Sequence, residues 1–168
     1  ELGGMPALER LRGILPKLAA ADRELVEHGL HLGIAISEYQ DRFNRGDFLI
    51  ANVMGADGDA GALVLGNSVR IGQTVQFHVR DAGTADEDLR LLLGEHREGG
   101  AGQARAVLLV TCNGRGTRLF DRPHHDAATI QQALGPMPLA GFFAQGELGP
   151  IGDRNFVHGF TASVVCFE

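Results

Sequence analysis

The stretch Ala104–Gly116, ARAVLLVTCNGRG, decides how the rest of the chain is read. Its unbroken apolar run Ala106-Val107-Leu108-Leu109-Val110 predicts a central strand buried on both faces. The run then gives way to Thr111-Cys112-Asn113-Gly114-Arg115-Gly116, a polar, glycine-rich loop holding a thiol, an amide and a guanidinium. Ligands of α/β proteins collect where a central strand ends in such a loop. A second candidate segment lies downstream at Gly141–Gly159, GFFAQGELGPIGDRNFVHG.

Outward from the central strand, periodicity and turn chemistry sort the chain. Leu8, Leu11, Leu15 and Leu18 form one apolar helical stripe, with Pro16 expected to divide it and Gly29 to close the second piece. Strands are predicted over Leu30–Glu38, Asp47–Val53, Ala60–Gly66 and Thr74–Arg80, separated by Gly/Asp turns that suggest a meander. In the last of these, Gln76, His78 and Arg80 share a face that should be wet or lie against a polar partner. Thr84-Ala85-Asp86-Glu87 reads as a capping box opening a helix to about Arg97, with Leu89, Leu92 and Leu93 inward, and Glu98–Gly102 reads as a flexible link. A further helix fits Ala127–Leu134, capped by Asp126 and ended by Gly135-Pro136. Two long apolar segments, Leu139–Glu147 and Asn155–Phe167, close the chain as a hairpin about Gly149–Asp153. The expected fold is α+β: a mixed, mainly antiparallel sheet with helices packed on it. We read residues 1–168 as a single domain, with a helical lead-in over 1–29 and a core over 30–168.

Composition narrows the function classes. The chain of 168 residues is 44% hydrophobic and 21% charged, with 24 glycines, and such a content implies many tight turns within a folded domain. A net charge of −6 argues against a nucleic-acid or anionic-membrane surface. Two cysteines, Cys112 and Cys166, do not form a disulfide framework. With no apolar run near the ~18 residues of a membrane helix and no signal-peptide pattern, a cytoplasmic protein is expected. The chain starts Glu1-Leu2-Gly3 without an initiator Met, as a piece of a longer protein would.

The candidate ligand-binding residues are Cys112, Asn113, Gly114, Arg115, Gly116, Phe143, Gly146, Glu147 and His158. Arg115 offers a planar fork to a carboxylate, and Asn113 and the glycine N–H groups can assist it. If the hairpin turns about Gly152-Asp153, Glu147 and His158 fall opposite one another, and their pairing would orient the imidazole. A different chemistry from the same residues is a thiol enzyme, with Cys112 as nucleophile, His158 as base and Glu147 as its orienter. In the blandest reading Cys112 is a small buried hydrophobe, Asn113-Gly114 a turn, and the domain purely structural. His124-His125 with Asp121 and Asp126 lacks metal-ligand spacing, and no phosphate loop or Gly-x-Ser-x-Gly elbow is present. No metal, cofactor or catalytic set is therefore expected.

Thr111–Gly116 with Leu119-Phe120, then Gly141–Gly152, then Val157-His158-Gly159-Phe160-Thr161, resemble the C-terminal domain of the FIST family. Gly46–Ile50 and Val75–Asp81 resemble its earlier strands. The resemblance implies a sensory module of a signalling protein that binds small ligands such as amino acids, and the Arg115 fork suits an amino acid or a small carboxylate. It also implies an N-terminal FIST domain as partner in the full-length chain. It carries no catalytic residues over.

Overall fold

Pro16 divides the leucine stripe as its chemistry requires. In the computed structural model, which describes residues 1–99, 102–151 and 154–168, α1 (Ala7–Ile14) ends in a 3₁₀ turn, Leu15–Lys17, and α2 (Ala20–His28) follows. Gly29, at φ 150°, lets the chain leave α2 in a conformation few side chains accept. Four strands follow, β1 (Leu30–Ala35), β2 (Phe48–Asp57), β3 (Ala62–Leu65) and β4 (Val75–Val79). The chain divides by its contacts into two compact units, Glu1–Arg80 and Asp81–Glu168.

In the first unit the strands make an antiparallel sheet ordered β3-β2-β1-β4. A plain meander would have set β4 beside β3. Instead β4 returns to β1, whose residues His31–Ala35 are all buried and can satisfy both edges only with a neighbour on each side. The β2–β3 hairpin closes on Asp57, whose Oδ1 accepts the Asp59 and Ala60 amides, both at 3.0 Å. The face of β4 expected to be wet is only partly so. Gln76 is exposed, but His78 stands opposite His31, meets the Phe48 ring edge-on at 5.1 Å and covers Gly33. Burial lowers the pKa of both histidines, for His31 with help from Arg80.

The second unit begins with α3 (Ala82–Glu98), and its cap corrects the sequence reading. Asp81, not Thr84, is the N-cap: its Oδ2 accepts the Thr84 amide at 2.6 Å and the Thr84 hydroxyl at 2.7 Å. A carboxylate near a helix N-terminus outranks a hydroxyl as acceptor, so threonine becomes the donor within the motif. Leu89 and Leu93 are buried, whereas Leu92 is 57% exposed. Part of the expected link after α3, at residues 100–101, lies outside the described residues.

β5 (Ala106–Cys112) is the central strand of a three-stranded sheet ordered β6-β5-β9, with β6 (Leu139–Ala144) parallel and β9 (Ala162–Phe167) antiparallel to it. α4 (His125–Leu134) supplies the crossover that the parallel pair needs, and Gly135 at φ 95° ends it as predicted. Val107 and Leu109 pack with Leu89, Leu93 and Ile130 of the helices into one core. The opposite face is not buried as expected, since Leu108 is 37% exposed and its sheet neighbour Val165 49%.

The two closing apolar segments are each interrupted. They yield four strands, β6 and β9 with a hairpin of β7 (Glu147–Ile151) and β8 (Arg154–His158) between them. Gly152-Asp153, the expected turn, lies outside the described residues. Phe160, at φ 64°, breaks the second segment between β8 and β9. The architecture is α+β with mainly antiparallel strands.

Gly141 is the tightest point of the sheet. A methyl there would drive into the Leu109 carbonyl of the paired strand, a backbone atom that cannot turn aside. Gly141→Ala should therefore cost about 2 kcal/mol or more, as overpacking against rigid atoms does. Urea unfolding followed by far-UV circular dichroism would register the lowered midpoint.

Candidate functional site

The loop after β5 is stitched to both neighbouring strands. The Cys112 N–H donates to the Thr161 carbonyl at 2.9 Å, and the Asn113 N–H to the Ala144 carbonyl at 2.7 Å. The Arg115 N–H closes a turn onto the Cys112 carbonyl at 2.9 Å. Gly116 then takes φ 62°, and the Phe143 ring lies 3.1 Å from where a side chain at Gly116 would begin. Backbone bonds alone thus hold the loop in one shape before any side chain contributes.

Arg115 points inward. Its Nε donates to Asp126 Oδ2 at 2.8 Å and its Nη2 to Oδ1 at 2.7 Å, a bidentate pair with the residues 6% and 5% exposed. Its Nη1 reaches the Phe160 carbonyl at 3.4 Å, and the guanidinium lies 5.2 Å from the Phe120 ring centre. Asp126 was expected as the N-cap of α4. It sits inside the first turn instead, with His124 as cap in the left-handed region at φ 58°, because the buried guanidinium is a stronger claimant than backbone amides.

His125 extends the network. Its ring stacks on Phe120 at 3.5 Å and 8°, with Nδ1 3.1 Å from Asp126 Oδ1 and Nε2 2.9 Å from Asp86 Oδ1. Asp86 in turn accepts from Arg90 at 2.9 Å. Burial pushes the Asp126 carboxyl up, but the Arg115 hydrogen bonds and charge, with His125 beside them, outweigh it and hold it below the usual carboxylate range. Among the described residues no group of His, Cys, Asp and Glu is arranged to hold a metal ion.

Glu147 and His158 do stand opposite each other in the β7–β8 register. Their side chains nevertheless part company. Glu147 is 1% exposed, and its Oε2 accepts the Thr161 hydroxyl at 3.0 Å while the Gly146 N–H faces Oε1 at 3.4 Å. The His158 Nε2 donates along its own hairpin to the Gly149 carbonyl at 2.8 Å. Cys112 is buried, and its Sγ accepts the Gly114 N–H at 3.4 Å. Among the described residues no hydrogen bond joins Cys112 to His158.

The predicted residues are divided between two cavities of the second unit. One, of about 380 Å³, lies between α3, Arg115 and the β7–β8 hairpin, and takes in Arg115 and His158 together with Ala85, Asp88, Thr161 and Ser163. The other, of about 450 Å³, runs along β6 and takes in Gly116 and Phe143. Cys112, Asn113, Gly114, Gly146 and Glu147 are walls of neither. Asp126, Phe160, Thr161 and Ser163 were not singled out as site residues. Of these the sequence marks Asp126, as a cap and beside His124-His125 in a pattern without metal-ligand spacing, and Phe160-Thr161, within the segment that carries the resemblance; Ser163 gives no signal.

A family model described as the FIST C domain matches residues 7–150. The chain belongs to the FIST C domain family. The match begins within α1, upstream of the motifs that carry the resemblance. FIST C domains are sensory-type domains of signal-transduction proteins. An uncharacterized protein of Mycobacterium bovis is 50% identical over 99% of this chain and 43% of its own length. Another, of Mycobacterium tuberculosis, is 50% identical over 99% of this chain and 44% of its own. The chain thus spans less than half the length of these relatives, and a FIST C domain is one part of a larger protein. No solved structure matches it. No helix among the described residues is long and apolar enough to cross a membrane.

The buried pair sets an acid limit on stability. Asp126 has a folded pKa below its unfolded value, so its contribution is complete above about pH 4 and is lost as pH falls through the folded value. Asp126→Asn should cost about 3–5 kcal/mol at neutral pH by leaving a buried guanidinium uncompensated. An Arg115→Met/Asp126→Leu double variant should lose less and show a shallower acid limb in urea unfolding from about pH 7 to about pH 2.

Proposed function

We propose that this FIST C domain is the ligand-binding part of a cytoplasmic sensory protein, and that its ligand is an amino acid or small carboxylate held between α3, Arg115 and the β7–β8 hairpin. The observation that carries this reading is the placing of Arg115. A guanidinium has five N–H donors, and the bonds to Asp126 and Phe160 use three of them. The rest belong to a side chain that lines a cavity and is already oriented, so binding need not order it.

The remaining walls suit the same ligand. His158 and the Ser163 hydroxyl add polar contacts, and Asp88 on α3 supplies negative charge for an amine. Asp88 is better placed for that contact than Glu147, whose carboxylate is enclosed and bonded to Thr161. A sensor of this kind transmits by population shift, limited by the ligand's differential affinity for two states. The N-terminal FIST domain of a longer chain is its expected partner in that shift.

A thermal-shift screen against amino acids and small carboxylates tests the proposal. At ligand near 100 times Kd, stabilisation of about 2.7 kcal/mol is expected. Ala85→Phe, which fills the cavity from the helix side, should abolish the shift while leaving the unliganded melting temperature within a few degrees of the parent. The absence of any stabilisation, on this chain and on a longer form bearing the preceding sequence, would count against it.

The chemistry of Cys112 can be probed separately. A buried sulfur that already accepts an amide hydrogen should react slowly with iodoacetamide at neutral pH, well behind free cysteine, as mass spectrometry of a time course would show. Alkylation as fast as a low-pKa thiolate would instead favour the thiol-enzyme chemistry.

A further inference from the structure

The cavity along β6 has a different character from the one just discussed. Most of its wall is apolar, from Leu109, Leu139, Phe142 and Phe143. One end is polar for two independent reasons. The first is the N-terminus of α4, since His124, His125, Asp126 and Ala127, the cap and first turn, all line it. His124 makes no side-chain cap bond, so the first-turn amides have no intrahelical acceptor and none from the cap. The second is Thr111, a wall residue of the same cavity only 5% exposed, whose hydroxyl has no hydrogen-bond partner among the described residues. A buried hydroxyl left unbonded costs free energy that a better-placed residue, valine for instance, would not incur.

We infer that this cavity is a second ligand site, for a carboxylate carrying an apolar body, such as a short-chain fatty acid. The carboxylate would accept from the α4 amides and from the Thr111 hydroxyl, and the hydrocarbon would lie along Leu109, Leu139 and Phe143. Asp126 does not repel it as a free carboxylate would, because Arg115 holds that side chain in a bidentate pair. A phosphate fits less well: the wall brings neither Lys nor Arg, and its few donors match one carboxylate. The volume, about 450 Å³, lies within the range of small-ligand pockets.

Titration of ¹⁵N-labelled protein with hexanoate tests this, with hexanol as the uncharged probe of equal length. Saturable shifts of the Asp126 and Ala127 amides are expected, with a Kd of about 1 mM. Hexanol should bind at least ~10-fold more weakly, since it brings no charge to the helix end. Thr111→Val should weaken hexanoate by about 10-fold, leave hexanol unchanged, and keep or raise the melting temperature of the unliganded protein. Ala85→Phe, which fills the other cavity, should leave hexanoate binding intact. The inference is overturned by no saturable shift up to about 10 mM, by equal binding of hexanol, by full affinity in Thr111→Val, or by loss of binding in Ala85→Phe.

Discussion

The second unit depends on one interaction, the buried pair of Arg115 and Asp126. It joins a loop at the end of the central strand to the first turn of α4, and its two short bonds fix both partners' orientation. Neither charge could stay buried alone, because the cost of taking an ion from water is recovered only with good geometry and further bonds. Those further bonds are present. Phe160 meets the guanidinium, and His125 meets Asp126 and passes the chain of contacts to Asp86 and Arg90 on α3.

The pair also explains why the candidate site has two cavities rather than one. Arg115 and Gly116 are neighbours, yet the guanidinium borders the space under the β7–β8 hairpin while Gly116 borders the space along β6. Drawing the side chain to Asp126 leaves the helix end without its expected cap. The same choice that anchors Arg115 therefore leaves the α4 amides facing a cavity. Phe160 and His124, both held at positive φ, stand beside these two spaces, where strain in non-glycine residues often accompanies binding sites.

Much of this was legible before any tertiary contact was known, and what was legible was local. The apolar run before Thr111 marks β5, Pro16 and Gly135 mark helix ends, and the Asp57 turn marks a hairpin. Even the opposition of Glu147 and His158 follows from strand counting about a turn. The errors in side-chain partners share one origin. Thr84 and Asp126 were each assigned a cap because nearby amides were the only partners a local reading could offer. The side chains of Glu147 and His158, correctly placed across from each other, found better partners in Thr161 and the Gly149 carbonyl.

The sequence by itself determined the α+β class, the central strand with its glycine-rich end, and membership of the FIST C family, because periodicity, turn residues and ordered motifs are written locally along the chain. Only the tertiary structure decided that β4 returns to β1, that β6 runs parallel to β5, and that Arg115 spends its fork on Asp126, eleven residues away. The reason is physical. A buried charge or an unpaired strand edge takes whichever partner the whole packing brings within bonding distance, and no periodicity in the sequence encodes that distance.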